Sequence, residues 1–127
     1  PSLLAEADLV SLHVGRPKDA GVLLGAHELA AMKRGSRLVN TARGYLVDEA
    51  ALFDALQSGQ LAGAALDVFA EEPYTGRLAT LPQVLCTPHV ASLTRASRAA
   101  MERRCSQNVV DWSLRNQKAV ERLPCPG

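Results

Sequence analysis

The sequence predicts an α/β fold built on a parallel sheet, and two observations carry that prediction. Short apolar runs alternate with segments of helical periodicity along most of the 127 residues, and glycine or proline punctuates nearly every junction. At this length the chain is one domain at most.

The elements follow in order. "SLLAEA" (2–7) reads as the end of a helix that leads into "DLVSLHV" (8–14), a compact apolar run of the kind that forms a strand buried on both faces. A loop with Gly15 and Pro17 follows. "GAHELAAMKRG" (25–35) predicts a short helix with Leu29 and Met32 on one face, Lys33 and Arg34 in its last turn and Gly35 as its stop.

The cycle then repeats. "SRLVNTA" (36–42) reads as a strand, "VDEAALFDALQSG" (47–59) as a helix capped by Asp48 and stopped at Gly59, and "LAGAALDVF" (61–69) as the next strand. After the irregular stretch "AEEPYTGRLATLP" (70–82), "QVLCTPHV" (83–90) makes a fourth strand, ended by Pro88 because proline removes a ladder donor.

A long helix starts near Thr94. Met101, Cys105, Val109 and Trp112 fall at near-helical spacing, with Arg98, Glu102, Arg103 and Arg104 largely off that stripe, which predicts an amphipathic cover. Residues 1–116 are expected to form one domain and 117–127 a tail. No internal repeat or low-complexity segment interrupts this order.

Composition narrows the function classes. Hydrophobic residues make up 47% and charged residues 21%, which is globular, and a net charge of +1 creates no field to attract nucleic acid or anionic lipid. No apolar run reaches bilayer length, and the first residues lack a secretory start. Cys86, Cys105 and Cys125 form no CxxC pair and no metal-ligand cluster, and their odd number does not fit a closed disulfide framework, so the expectation is a cytoplasmic protein without a metal.

In parallel sheets ligands bind beyond the carboxyl ends of the strands, which here are His13, Thr41 to Gly44, Asp67 to Glu72, and His89. Arg43 carries a permanent charge and a bidentate fork suited to a substrate carboxylate. His89 is the side chain type that exchanges protons near neutrality, and a nearby carboxylate would favour its charged form; Glu71 and Glu72 are the available partners.

Taken singly, Arg43 also reads as a solvated loop arginine and the two glutamates as a solvated acidic loop. Asp67 differs, since it ends an apolar run where an unpaired carboxylate is costly. His13 reads either as a cap on a cofactor pocket or as a structural histidine, and His27 as a surface residue. No basic or histidine neighbour activates the cysteines, so they are assigned no chemistry.

Three strings in order, "NTARGYLVDEAAL", "LAGAALDVFAEEP" and "CTPHVAS", resemble the NAD-dependent D-2-hydroxyacid dehydrogenases, a family that includes phosphoglycerate dehydrogenases and glyoxylate or hydroxypyruvate reductases. The resemblance runs from about "LLAEADLVSLH" through the last helix and sharpens the fold expectation to the distal half of a Rossmann-type doubly wound parallel sheet ending in a long amphipathic helix.

The resemblance implies catalytic roles for Arg43 as the substrate-binding arginine, for Glu72 rather than Glu71, and for His89 as the acid/base pair of Glu72. It further implies that His13, Thr41, Ala42, Arg43, Asp67 and His89 face the cofactor, with Asp67 near the nicotinamide carboxamide and Thr41 and Ala42 along the ring. The implied reaction is hydride transfer between NAD(H) and a small D-2-hydroxy or 2-oxo acid. NAD is implied by the resemblance alone, and NADP stays open.

Two departures from the family pattern stand out. Gly15 and Pro17 occupy positions where the family often has proline and threonine, and Val90, Ala91 and Ser92 follow "TPH" where glycines are common. The first is expected to loosen the loop near the cofactor and the second to narrow the space beside the nicotinamide.

The sequence also contains no G-x-G-x-x-G fingerprint and no counterpart of the family's substrate domain. The expectation is therefore the C-terminal segment of a longer enzyme, a homodimer when full length. Two alternatives are a noncatalytic regulatory protein of the same fold, like the co-repressors that resemble this family, and an inactive truncated remnant.

Overall fold

The computed structural model describes residues 2–15, 19 and 21–116. The chain divides into two compact units, residues 1–91 and 92–127. Pro17, Cys125 and the tail at 117–127 lie outside the described residues.

In the first unit, β2 (Ser36–Asn40) shows its origin directly: Ser36, Leu38 and Asn40 are buried and Arg37 is exposed, the period-two pattern of a strand with one face against a core. It pairs in parallel with β1 (Leu9–Leu12) on one side and β3 (Leu61–Leu66) on the other, and β3 pairs in parallel with β4 (Val84–Cys86). The sheet order is β1-β2-β3-β4. Since all four strands run the same way, their carboxyl ends lie along one edge.

A short helix, α1 (Ser2–Glu6), precedes β1; α2 (Ala26–Ala31) and α3 (Glu49–Gln57) link the next strands and pack against each other. Leu29 of α2, Leu52 and Leu56 of α3, Leu38 of β2 and Leu61 of β3 share one core with Leu46, Leu78 and Phe69. Each fully buried leucine contributes about 1.5–3 kcal/mol of apolar transfer.

β1 departs from the sequence expectation of burial on both faces. Leu12 is buried, but Leu9 is 57% exposed, because this unit's helices cover only one face of its sheet.

α2 is also shorter than its apolar pattern suggests. Met32 leaves the helix in extended conformation (ψ 150°), so Lys33 and Arg34 lie beyond its end. Gln60 takes over the terminal carbonyls, its Nε2 donating to Met32 at 2.6 Å and Ala30 at 3.2 Å. Lys33 instead pairs with Asp8 at 2.6 Å on the surface.

α3 begins as expected: the Asp48 carboxylate accepts from the backbone amides of Ala50 and Ala51, both at 3.0 Å, and Gly59 takes the left-handed conformation after the helix (φ 68°). Asp48→Ala should cost about 1 kcal/mol by leaving those two amides without a side-chain acceptor, read as a lower urea midpoint with an unchanged m-value.

In the second unit, α4 (Arg95–Arg115) starts at Thr94, whose Oγ1 accepts from the Ser97 amide at 3.1 Å. The expected apolar stripe is present, but no side chain along the helix is buried; Met101, Val109 and Trp112 are all more than half exposed. A lone helix has no second face within its own unit to cover.

Candidate active site

The site begins at the end of β2. Asn40 is buried, and its amide ties the following turn to the strand: Oδ1 accepts from the Ala42 amide at 3.1 Å and Nδ2 donates to the Arg43 carbonyl at 2.9 Å. These bonds carry Thr41 and Arg43 to the exposed edge.

The Arg43 Nη1 donates to the Ala42 carbonyl at 2.6 Å, and no carboxylate lies within ion-pair distance of it among the described residues. Its remaining N–H groups keep a charged fork available to an anionic group. A cavity of about 460 Å³ opens here, lined by His13, Val14, Gly15, Thr41, Ala42, Arg43 and Tyr45. His13 is exposed, with Nε2 2.8 Å from the Ser11 hydroxyl.

Gly44 follows and is buried because it lies directly against the next loop: a Cβ there would overlap the Phe69 carbonyl and the Ala70 nitrogen. That loop leaves β3 through Asp67, whose amide donates to the Asn40 carbonyl at 3.0 Å. The Asp67 carboxylate is buried and fully engaged with the segment after β4. Oδ1 accepts from the Thr87 hydroxyl at 2.6 Å and the Val90 amide at 2.8 Å, and Oδ2 from the Ala91 amide at 2.9 Å. Burial alone pushes this carboxyl upward, but the hydrogen bonds from Thr87, Ala91 and Val90 outweigh it and hold the group below its ordinary value.

Glu72 closes the same loop. Its Oε1 accepts from the Phe69 amide at 3.0 Å, and Oε2 lies 2.9 Å from His89 Nδ1. The His89 hydrogen bond, then that of Phe69, keep the Glu72 carboxyl below its ordinary value. An ionised carboxylate can only accept, so Nδ1 carries the proton of this bond and Nε2 is the nitrogen left to exchange one. From α3, Glu49 Oε1 accepts from the Ala70 amide at 2.8 Å and steadies the loop.

β4 ends at Cys86, just before the stop expected at Pro88. The Thr87 amide donates to the Leu66 carbonyl at 2.9 Å, and the His89 amide to the Thr87 carbonyl at 3.0 Å across Pro88. His89 itself has φ 55°, a left-handed conformation that costs a side-chain-bearing residue about 1–2 kcal/mol. Beside the Glu72–His89 pair lies a cavity of about 480 Å³, walled by Phe69, Tyr74, Cys86 and Pro88. Burial pushes the Cys86 thiol up, which lowers its thiolate fraction.

The structure thus joins Glu72 to His89, places His13, Thr41, Ala42 and Arg43 around one cavity, and turns Asp67 inward. No hydrogen bond links Arg43 to His89 among the described residues, and the cavities beside them have no lining residue in common, although both stand at the carboxyl edge. Glu71 lies on the wall of a different cavity, of about 490 Å³, with Glu49, Phe53 and Arg77. Sequence reasoning assigned no role to Asn40, Gly44 or Glu49; all three stand inside the quoted "NTARGYLVDEAAL" string, which was the signal available for them. Among the described residues no cluster of three histidine, cysteine or acidic side chains could hold a metal ion, and no helix is long and apolar enough to cross a membrane.

A parallel sheet whose turns bring their polar groups to one carboxyl edge defines a Rossmann-like, dinucleotide-binding type of α/β domain. Comparison with known proteins makes the class specific. The chain belongs to the D-isomer specific 2-hydroxyacid dehydrogenases, with residues 1–91 matching the NAD binding domain of that family.

A glyoxylate reductase from Thermococcus litoralis is 43% identical over 113 residues, covering 88% of this chain and 34% of that protein. The solved D-isomer specific 2-hydroxyacid dehydrogenase from Lactobacillus delbrueckii ssp. bulgaricus, in its NAD complexed form, is 36% identical with a TM-score of 0.76, over 88% of this chain and 38% of that one. A second solved structure, from Xanthobacter autotrophicus Py2 in complex with NADPH and MES, is 41% identical with a TM-score of 0.67, over 71% of this chain and 30% of that one. The chain spans about a third of the length of these relatives.

Proposed function

We propose that this chain supplies the substrate-holding and proton-transferring edge of an oxidoreductase that interconverts a small D-2-hydroxy acid and its 2-oxo acid. The observation that carries this reading is the Glu72–His89 pair, a carboxylate 2.9 Å from an imidazole at the carboxyl edge of a parallel sheet. When bound, NAD(H) supplies or accepts the hydride; NADP(H) stays within the proposal because one solved relative holds NADPH. The open cavity at the ends of β1 and β2 suits a flat ring, with His13, Thr41, Ala42 and Arg43 on its walls and Asp67 and His89 at the next two strand ends.

Arg43 holds the substrate carboxylate through its fork and draws density from the adjacent carbonyl. His89 gives a proton to the substrate oxygen in reduction and takes it back in oxidation. Glu72 accepts from Nδ1 throughout, which fixes the ring's tautomer and balances the charge of the imidazolium. Residues 1–116 act as the distal part of the cofactor domain with its final helix. We place the full-length protein in the cytoplasm as a homodimer, with no nucleic acid or membrane partner; the net charge of +1 on this chain offers no field to attract either of the last two.

The test is NADH-dependent reduction of glyoxylate and hydroxypyruvate by the intact protein, with Arg43→Lys as the variant. A point charge replacing a fork should raise KM roughly tenfold with a smaller change in kcat. Turnover by the parent with an unaltered KM in the variant would remove Arg43 from the substrate site.

A further inference from the structure

Asp48 already accepts from the Ala50 and Ala51 amides at the start of α3, so the helix cap does not use the carboxylate beside it. Among the described residues no cation lies within ion-pair distance of Glu49 either. Its Oε1 instead reaches out of the helix to the Ala70 amide at 2.8 Å, a bond between α3 and the loop after β3. The helix is a firm base for that reach, since Leu52 and Leu56 are buried in the core.

The peptide group so held is the one between Phe69 and Ala70. Glu49 accepts from its N–H, and Gly44 lies against its carbonyl, where a Cβ would overlap. The preceding amide, that of Phe69, is accepted by Glu72 Oε1 at 3.0 Å, and this leaves Oε2 for His89 Nδ1 at 2.9 Å. The direction of the Phe69 amide therefore decides where the Glu72 carboxylate points. Only the two dihedrals of Phe69 separate that amide from the peptide plane that Glu49 holds.

We infer that Glu49 is a positioning residue for the Glu72–His89 pair: by holding the Ala70 amide it sets the Phe69–Ala70 peptide, and through it the amide on which Glu72 rests. The inference rests on the reading of that pair as the proton-transferring group. Among the described residues no hydrogen bond joins Glu49 to either member of the pair, so its effect travels through the loop backbone.

The task requires reach rather than charge, and two variants of the intact protein separate these. Glu49→Asp keeps a negative charge at the helix start but stops one methylene short of the Ala70 amide. Glu49→Gln keeps the length and an acceptor oxygen without the charge. Glu49→Asp should lower kcat about tenfold while KM and NADH affinity change less than about twofold, and Glu49→Gln should stay within about twofold of the parent. In a Glu72→Ala background the same Glu49→Asp change should cost less than about twofold, because no carboxylate is left to place. Amide exchange at Phe69 as well as Ala70 should quicken about tenfold in Glu49→Asp and hardly change in Glu49→Gln.

A Glu49→Gln protein as impaired as Glu49→Asp would overturn the hydrogen bond as the agent. A tenfold loss that persists in the Glu72→Ala background would overturn action through Glu72, and unchanged exchange at Phe69 in Glu49→Asp would overturn transmission along the loop. Absence of turnover in the parent protein would defeat the proposed function, yet exchange at Phe69 would still decide whether Glu49 sets the amide beneath Glu72.

Discussion

His89→Gln should reduce kcat roughly 10²–10⁴-fold in the intact protein, the range lost when a positioned general acid/base is removed. Glutamine can still donate to Glu72 but cannot take up and release a proton near neutrality, so the loss isolates proton transfer from packing. NADH binding should persist, as His89 is half exposed and lies outside the cavity around Arg43. A variant retaining more than about a tenth of the parent's turnover would sink the assignment. The partner carboxylate sets the acid limit of the same experiment. Glu72 titrates below its ordinary value near 4.5, so its support is fully present above that value and is lost only as pH falls through the lower folded value. A loss of the Glu72–His89 contact already at pH above that ordinary value would contradict this sign.

Much of this was legible in one dimension, and the exceptions share a cause. β2 was legible as the strand run "SRLVNTA" after the Gly35 stop, and α3 by the Asp48 cap and the Gly59 stop, because those signals depend on residues a few positions apart. Glu72 and His89 were legible through the order of two strings, and the structure brings them together at 2.9 Å. The premature end of α2 was not, since Gln60 reaches back 28 residues to the Met32 carbonyl. Nor was the bridge between Leu24 and Val47, which ties the turn before α2 to the one before α3. Glu49 sits in the first turn of α3, and only the fold gives it the Ala70 amide 21 residues away. Residues 70–82 read as irregular, yet they form a 3-10 turn at Arg77–Thr80 and set the Arg77 guanidinium 3.7 Å from the Phe53 ring centre.

Gly44→Ala should destabilise the protein by about 3 kcal/mol, the upper end of ordinary overpacking, and should lower activity with it. The obstacle to a methyl group is backbone, the Phe69 carbonyl and Ala70 nitrogen, not the end of a flexible side chain. Phe69 has little freedom to retreat: its ring stacks on Tyr74 with centroids 4.0 Å apart, and its amide is held by Glu72. Ala70 is held in turn by Glu49. On the other side, Asn40 grips the turn that contains Arg43. Relief must therefore displace either the loop that carries Glu72 or the turn that carries Arg43, and each displacement moves a residue of the proposed site. Gly15→Ala is the control for stability, because among the described residues nothing lies within 4 Å of a Cβ at that position. Chemical denaturation of both variants should separate them clearly, with kcat measured on Gly44→Ala against the parent; a Gly44→Ala protein within about 0.5 kcal/mol of the parent would mean that the two loops yield to each other more readily than their hydrogen bonds imply.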